Sequence, residues 1–436
     1  SRQVTGEAIA PATANNIVQD LTYVAVLKDY GQDVSIPRPE GYDSTVFACA
    51  CKNDMCVTPK EPERLWGLQE MITYGRLPNH KYMINWPVEG NDYYVNLIEM
   101  TPEERNAALQ EAKQFTLKFL YFIQHELGLN TLGLADDEYP TADRLPFIPY
   151  YRESRRIVGK VRFTLPYITN PYTQEWPLYR TNIAVGDYPV DHHHARYEGS
   201  EALPNLYFSP IPSYGLPLGT LIPQEVKGLI VAEKSISVSN IVNGTTRLQP
   251  VVLQIGQAAG ALAALAVQQH VDVEQVSVRA VQQALLAANG YLMPYRDVPV
   301  THPLFKVYQR TGATGILKGV GKTVGWSNQM WLRSDTLLLS SEIEGLKEVY
   351  PYVSLQHLPR VITTKEALAL ISDIAAQEQI VFDEETGMLA ENIYAKYGWG
   401  DVKLNSPMQR GAFAALVDEL LDPFNRKEID LFGNFK

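Results

Sequence analysis

The chain has 436 residues, enough for two or three domains, with 45% apolar residues, 20% charged residues and a formal net charge of −11. This balance is typical of a folded soluble protein and excludes a disordered or collagen-like chain. The negative charge would repel phosphate backbones, so nucleic acid is not expected as a partner.

The first predicted elements, up to about residue 90, are short strands and long loops that include three cysteines. Cys49, Cys51 and Cys56 are an odd number, which cannot form a disulfide framework by itself. A structural zinc needs four ligands, whereas this spacing supplies three and no histidine lies nearby. We therefore expect buried or paired thiols in a strand-like run over 46–51, and no metal.

The clearest helix begins after Thr101. The Thr101-Pro102-x-Glu104 sequence has the pattern of a capping box with proline at the first helical position, and apolar residues recur up to Gly128. His125 lies near the end of this helix, where a histidine that complements the helix dipole or lies on the surface is expected.

The next informative segment runs from 228 to 267. The Gly-Leu-Ile-Val-Ala sequence at 228–232 predicts a strand, followed by a small-residue loop and an Ala-rich helix that begins near Thr246. This arrangement presents the amides at a helix start to an anion or a polarised carbonyl.

The helix over 251–267 imitates a membrane span because it is almost wholly apolar and contains Gly256-x-x-x-Gly260. It is too short for a transmembrane helix, is rich in alanine, and carries the polar residues Gln254 and Gln257. We expect a buried helix packed closely on a flat surface, and no transmembrane segment.

A proline-containing linker over 293–302 precedes a predicted all-helical module. Its amphipathic helices are expected over 304–317, 337–349, 365–377 and 407–421. The segment 315–323 ends in Gly-Lys-Thr like a phosphate-binding loop, but five residues separate Gly315 from Gly321 where that motif has four. A turn between helices is the expectation there.

Five ordered motifs over about the first 290 residues resemble one family. They are Asn85-Trp86-Pro87 with Gly90-Asn91-Asp92, Arg152-Glu153-Ser154-Arg155-Arg156, Tyr188-Pro189-Val190-Asp191-x-His193, Gly228-Leu229-Ile230-Val231-Ala232, and Arg247 through Gly256-Gln257-Ala258-Ala259-Gly260. Together they resemble the FAD-dependent oxidoreductases of polysaccharide-degrading bacteria, some of which are labelled xanthan lyases.

The resemblance implies an α/β plus all-α chain with three domains. A mixed-sheet substrate domain would span 1–227, the last strand and helices of a Rossmann-like FAD-binding fold 228–295, and a helical domain 296–436. The last of these loosely resembles S-layer-homology modules, with a packing domain as the alternative. The family resemblance implies a periplasmic or secreted location. Trp326 lies in the expected place for such a module.

The sequence departs from the family at its diphosphate-binding turn. Such flavoproteins carry a G-x-G-x-x-G turn that holds the FAD pyrophosphate, and no such triplet occurs in the 436 residues. Glu233 also replaces a usual glycine. We expect the C-terminal portion of a longer flavoprotein. By itself it would be inactive and bind no FAD, and it would need an N-terminal FAD-binding fragment or self-association to cover its 251–267 helix.

The family pattern makes His193 the candidate catalytic base, with Asp191 orienting a ring or fixing the loop. A surface or structural histidine is the equal alternative. Three consecutive histidines also permit a metal, but side-chain alternation would send His192 and His194 to the face opposite His193.

The substrate-binding candidates are Asn85, Asn91, Arg152 and Arg155. The arginines could bind an anionic or polyhydroxyl substrate by forked hydrogen bonds, or form an internal salt-bridge network around Glu153. The asparagines could bind sugar hydroxyls, but turn formation is slightly favoured for Gly90-Asn91-Asp92.

The cofactor-binding candidates are at the Ala-rich helix: Arg247, Gly256, Gln257 and Ala258. The resemblance places this helix start near the flavin ribityl chain and pyrimidine edge. Without a flavin, the glycines are a helix-packing device.

The function implied by the resemblance is oxidation of a carbohydrate or related hydroxyl compound by hydride transfer to flavin. A polysaccharide lyase is the alternative from another enzyme class, with a His or Tyr base beside a uronate carboxylate. A non-catalytic protein that binds glycans or the cell wall is the third.

Overall fold

The computed structural model describes residues 17–60, 62–199 and 209–436, which form two compact units. The sheet unit contains 17–60, 62–155 and 192–199, and the helical unit contains 156–191 and 209–436. Residues 1–16, 61 and 200–208, part of the predicted substrate domain, lie outside the described residues. The domain boundaries expected at 227 and 295 stay predictions.

The sheet unit is built from six short strands and two helices. In chain order they are β1 (Leu21–Thr22), β2 (Ala25–Asp29), α1 (Leu68–Tyr74), β3 (Arg76–Leu77), β4 (Lys81–Ile84), β5 (Asp92–Tyr93), α2 (Pro102–His125) and β6 (Leu132–Leu134). One sheet has the order β3-β4-β2-β6 and the other pairs β1 with β5, all antiparallel.

Helix α2 confirms the clearest prediction from the sequence. The Thr101 hydroxyl accepts from the Glu104 amide at 3.3 Å, and the Glu104 carboxylate accepts from the Thr101 amide at 2.9 Å. The buried face of α2 contributes Phe119, Phe122 and Ile123 to an apolar core of the sheet unit. His125 is exposed near the C-terminus of the helix, as expected, and stacks on Tyr121.

The cysteines are paired or buried, but not in a strand. Cys49 and Cys56 form a disulfide, and Cys51 is a buried free thiol whose pKa is raised by burial. The strand expected over 46–51 is wrong because the backbone turns into a 3-10 helix at Ser44–Phe47. Asp43 starts that turn by accepting from the Thr45 amide at 2.9 Å.

The helical unit follows in chain order. It comprises α3 (Leu165–Thr169), β7 (Asn182–Gly186), β8 (Tyr214–Pro217), α4 (Asn240–Thr246), α5 (Gln249–Gln269), α6 (Val278–Ala287), α7 (Phe305–Thr314), β9 (Val320–Lys322), β10 (Gln329–Trp331), α8 (Gly345–Val349), α9 (Thr364–Gln377), α10 (Thr386–Tyr397), α11 (Arg410–Leu420) and α12 (Pro423–Arg426). Strands β7 and β8 pair with each other, and so do β9 and β10, antiparallel in both cases.

Helix α5 confirms the predicted helix, but only one of its faces is buried. The buried face is a stripe of apolar side chains that contacts β7 and α6. This buried stripe consists of Val251, Ile255, Ala258, Leu262 and Ala266. By length and composition α5 could cross a membrane, and it is the one helix in the described ranges with that property. In the structure, one side of α5 packs against the rest of the helical unit and the other side is exposed.

Two predictions for the segments around α5 and α8 are wrong. Residues 228–232 pair with no strand in the described part of the chain, since Gly228 has a φ of 68° and Leu229 is 43% exposed. Of the helix expected over 337–349, only Gly345–Val349 (α8) is α-helical, because 340–342 forms a separate 3-10 turn.

The C-terminal module is helical at α7, α9 and α11, as predicted, but it is not all helical. Gly321 and Lys322 lie in β9, so the turn between helices expected at the Gly-Lys-Thr sequence is a β-hairpin instead. Gly325, with a φ of 93°, supplies the left-handed backbone that lets this hairpin reverse.

Candidate functional site

The candidate site of the sheet unit is centred on Asp92, which lies at the start of β5. Its neighbour across the sheet is Thr22 in β1, because the antiparallel register pairs Thr22 with Asp92. The Thr22 hydroxyl donates to Asp92 Oδ1, and the Asp92 side chain is 0% exposed. A buried carboxylate of this kind requires further hydrogen-bond donors.

Arg152 and His193 supply those donors. Arg152 Nη2 lies 3.4 Å from Asp92 Oδ1, and His193 Nδ1 lies 2.6 Å from Asp92 Oδ2. Arg152 also donates from Nη1 to the Asp20 carbonyl at 2.7 Å and to the Thr22 hydroxyl at 3.0 Å. Both oxygens of the Asp92 carboxylate therefore accept hydrogen bonds, and this buried charge has cationic and polar neighbours.

The electrostatics follow from burial and these neighbours. Burial raises the pKa of Asp92, but Arg152, His193 and Thr22 outweigh it and hold that pKa below its ordinary value. Asp20 behaves in the opposite way: burial, and then the nearby Asp92 charge, raise the pKa of Asp20 to about 7. Asp20 accepts from the Arg196 amide at 3.1 Å.

The three histidines divide as side-chain alternation predicts. His193 bonds to Asp92, whereas His192 Nδ1 and His194 Nε2 lie 3.3 Å apart. His194 also contacts the Val18 carbonyl. In residues 17–60, 62–199 and 209–436 there is no group of three His, Cys, Asp or Glu side chains arranged to hold a metal ion.

The two predicted asparagines have different environments. Asn91 is fully buried, accepts from the Trp86 amide at 2.8 Å and donates to the Tyr23 and Ile84 carbonyls, so it holds the turn before β5 together. Asn85 Oδ1 is a buried acceptor without a hydrogen-bond partner in the described part of the chain. Asn85 is thus the better placed of the two to accept a bond from a ligand.

The two predicted arginines also have different roles. The Arg152 side chain is 2% exposed and belongs to the network around Asp92, with its guanidinium 5.0 Å from the Tyr150 ring centroid. Arg155 is 68% exposed and pairs with Glu99 at 2.7 Å. Arg152 therefore pairs with Asp92, and Glu153 accepts a hydrogen bond from Gln19 at 3.0 Å.

In the helical unit, Arg247 and Asp191 form a second buried pair. Arg247 follows α4, and its Nη2 donates to the Asp191 carbonyl at 3.0 Å and lies 3.5 Å from Asp191 Oδ2. Both side chains are almost fully buried, 3% and 6% exposed. Asp191 is therefore positioned to fix the segment before the histidines.

The remaining predicted cofactor residues lie on α5. Gly256 and Gln257 are exposed, whereas Ala258 is in the buried stripe. A methyl group added at Gly256 or at Gly260 would meet no atom within 4 Å. In the described part of the chain both glycines therefore lie on the open side of α5.

Comparison with known proteins identifies the family. The family model described as FAD dependent oxidoreductase matches residues 3–285. The chain belongs to this family. A search of curated proteins and a search of solved structures each found no match. The family confirms the flavin oxidoreductase assignment and the mixed α/β class that the motifs indicated, with small sheets and several helices.

FAD is the cofactor of the family, but the described residues do not fit its diphosphate. All strand pairs within the described sheets are antiparallel, whereas a dinucleotide-binding half-fold needs parallel strands and a glycine-rich turn. The sequence contains no G-x-G-x-x-G.

The sequence suggested Asp92 as a sugar contact or, slightly favoured, as part of a turn, and gave no indication of Asp20 and Thr22. The signal at Asp92 was weak because an aspartate after Gly-Asn is ordinary turn chemistry. Its partners are 70 residues away at Thr22 and 101 residues away at His193. A single sequence gives no indication of such a pairing.

Proposed function

We propose that the protein is an FAD-dependent oxidoreductase that oxidises a hydroxyl group of a carbohydrate or related compound, with His193 as the base. The 2.6 Å bond between His193 Nδ1 and Asp92 Oδ2 carries this proposal. In the neutral ring, this bond places the proton on Nδ1 and the lone pair on Nε2, the atom that would accept the hydroxyl proton. FAD, when bound, supplies hydride acceptance.

Asp92 acts as a positioning residue in this proposal, and Arg152 and Thr22 hold it in place. A carboxylate behind an imidazole fixes the ring orientation and stabilises the imidazolium that forms when the ring takes a proton. The His193 side chain is 12% exposed, so most of the ring is shielded from bulk water while a small part stays accessible. Asn85 and Arg155 remain the proposed substrate contacts.

Substitution of His193 tests the proposed base. We expect His193→Gln to lower turnover by a factor of about 10²–10⁴, the usual contribution of a general base. The measurement is oxidation of a panel of sugars with an artificial electron acceptor, using the flavin-containing assembly of this chain with the polypeptide that carries the diphosphate-binding half. His125→Gln, on the exposed end of α2, is the matched control and should retain full turnover. Equal activity of the two variants would contradict the role of His193.

The same assay separates the alternative functions. A polysaccharide lyase would release an unsaturated product that absorbs in the ultraviolet and would need no flavin. A glycan-binding or wall-associated protein would bind saccharide without turnover. The S-layer resemblance of 296–436 belongs to this third alternative, and the half-exposed Trp326 is the side chain such a role would use.

The disulfide favours a location outside the reducing cytoplasm. Cys49–Cys56 is a pairing that persists in oxidising compartments and is uncommon elsewhere. A periplasmic or secreted protein is accordingly part of the proposal. Polysaccharide-derived sugars are substrates that such a protein would meet.

We also propose that the exposed face of α5 is covered in the working enzyme. Leu253 is 75% exposed and Val267 is 72% exposed, beside the open backbone at Gly256 and Gly260. The cover would be a polypeptide that carries the diphosphate-binding half, or a second copy of the chain. The chain alone would then bind no FAD. Intact mass and absorbance test this, since a yellow sample of this chain alone would contradict it.

Substitution of Gly256 distinguishes a free face from a covered one. Gly256→Ala should stabilise the chain alone by about 0.5–1 kcal/mol, because alanine is the better helix former and nothing obstructs its methyl group. In a covered α5 the same methyl group would obstruct close packing. Urea denaturation of the purified chain is the measurement. Gly345→Ala is the matched control, and it should destabilise because its added Cβ would lie 1.9 Å from the Gly315 carbonyl.

A further inference from the structure

The helical unit contains a cavity of about 400 Å³ that the proposed catalytic residues do not use. Five segments line it: the end of β7 with 187–188, Ser213 just before β8, the first turns of α5, the segment 291–299, and the tip of the β9–β10 hairpin. The volume is within the usual range for small-molecule sites, which is roughly 300–1,000 Å³. His193 and Asp92 belong to the sheet unit.

The walls of the cavity are fixed by hydrogen bonds between the segments that form it. Asn328 donates from both its backbone and its side chain to the Asp187 carbonyl, at 2.9 and 3.0 Å, and Ser327 donates to Asp187 Oδ2 at 3.0 Å. Gln254 on α5 bonds to both the amide and the carbonyl of Val185. The Arg296 amide donates to the Met330 carbonyl. The site is therefore preformed, which reduces the ordering cost of binding.

The surface of the cavity combines flat apolar groups with two opposite charges. Tyr188, Tyr291 and Tyr295 line it together with three prolines, and rings of this kind offer flat faces to the C–H side of a sugar ring. Asp187 and Arg296 are the charged residues of the lining, and both are exposed. A carboxylate can accept from sugar hydroxyls, and a guanidinium can bind a carboxylate with two parallel hydrogen bonds.

We propose that this cavity binds a saccharide ring that carries a carboxylate, as in a uronic acid. The tyrosine and proline faces would hold the ring, Asp187 would accept from its hydroxyls, and Arg296 would pair with its carboxylate. Binding here requires neither flavin nor turnover, so the inference stands independently of the proposed oxidoreductase activity. A flat flavin ring could also contact the aromatic walls, and the experiment distinguishes this occupant.

The test is calorimetric titration of the full chain with methyl glucuronide, methyl glucoside and riboflavin. We expect the glucuronide to bind up to about fivefold more tightly than the glucoside, the effect usual for a charge pair that is open to solvent. Arg296→Gln should remove that preference and leave glucoside binding unchanged. Arg360→Gln, an exposed arginine outside the cavity, is the matched control and should bind as the unaltered protein does.

Two results would overturn the proposal. One is equal affinity for the charged and uncharged sugars, or for Arg296→Gln and the unaltered protein. The other is binding of riboflavin that the glucuronide cannot displace and that Tyr291→Ala abolishes, which would assign the cavity to the cofactor. Circular dichroism of each variant checks that the fold is intact.

Discussion

Asp92→Asn is expected to lower the free energy of unfolding by about 3–5 kcal/mol. The substitution leaves Arg152 buried beside a neutral amide, and an uncompensated buried charge costs more than the ion pair itself contributes. The variant should also lose the defined Nδ1–H tautomer of His193, because the amide offers the ring a donor as well as an acceptor. Urea denaturation measures the first effect, and ¹⁵N shifts of the imidazole measure the second.

The pH dependence of stability provides a further readout for Asp92. Its pKa in the folded protein is lower than the ordinary 3.8, so the unfolded chain binds more protons in acid. The stability that Asp92 contributes is complete above pH 3.8 and is lost as the pH falls below that value. In Asp92→Asn this part of the acid limb should disappear.

Glu99→Gln is the matched control for Asp92, because it removes the carboxylate of an arginine pair at the surface. Glu99 and Arg155 are 78% and 68% exposed, so solvent screens their attraction and no measurable loss of stability is expected. If Asp92→Asn were as stable as Glu99→Gln, the contacts of Asp92 with Thr22, Arg152 and His193 would not stabilise the sheet unit.

Phe122→Ala should destabilise the protein by about 3–5 kcal/mol through the cavity it leaves in the core. Phe122 is fully buried on α2, with its ring centroid 5.9 Å from that of Phe47 and 6.4 Å from that of Phe119. Surrounding rings are too rigid to fill the space that the phenyl group vacates. Chemical denaturation measures the loss.

Phe147→Ala is the control for the core substitution. Phe147 belongs to the same unit and undergoes the same chemical change, but it is 72% exposed, so its removal should change stability by less than about 0.5 kcal/mol. Similar losses for the two variants would mean that the α2 face does not form the core described above.

The sequence alone determined the elements whose signals are local. The capping box at Thr101 and the apolar periodicity after it predicted α2, and the Ala-rich run predicted α5, because capping and helical periodicity depend only on residues a few positions apart. The ordered motifs also identified the family, and alternation placed His193 opposite its two neighbours. These inferences needed no knowledge of distant contacts.

Only the tertiary structure decided which polar groups meet. Asp92 bonds to Thr22, Arg152 and His193 across 70, 60 and 101 residues, and Asn91 is bound within a turn rather than presented to a ligand. The strand expected at 228–232 failed for a related reason, since a strand exists only where another backbone pairs with it. Local sequence specifies a residue's own conformation, but the partners of a buried charge or a strand edge come from elsewhere in the chain and are fixed only by folding.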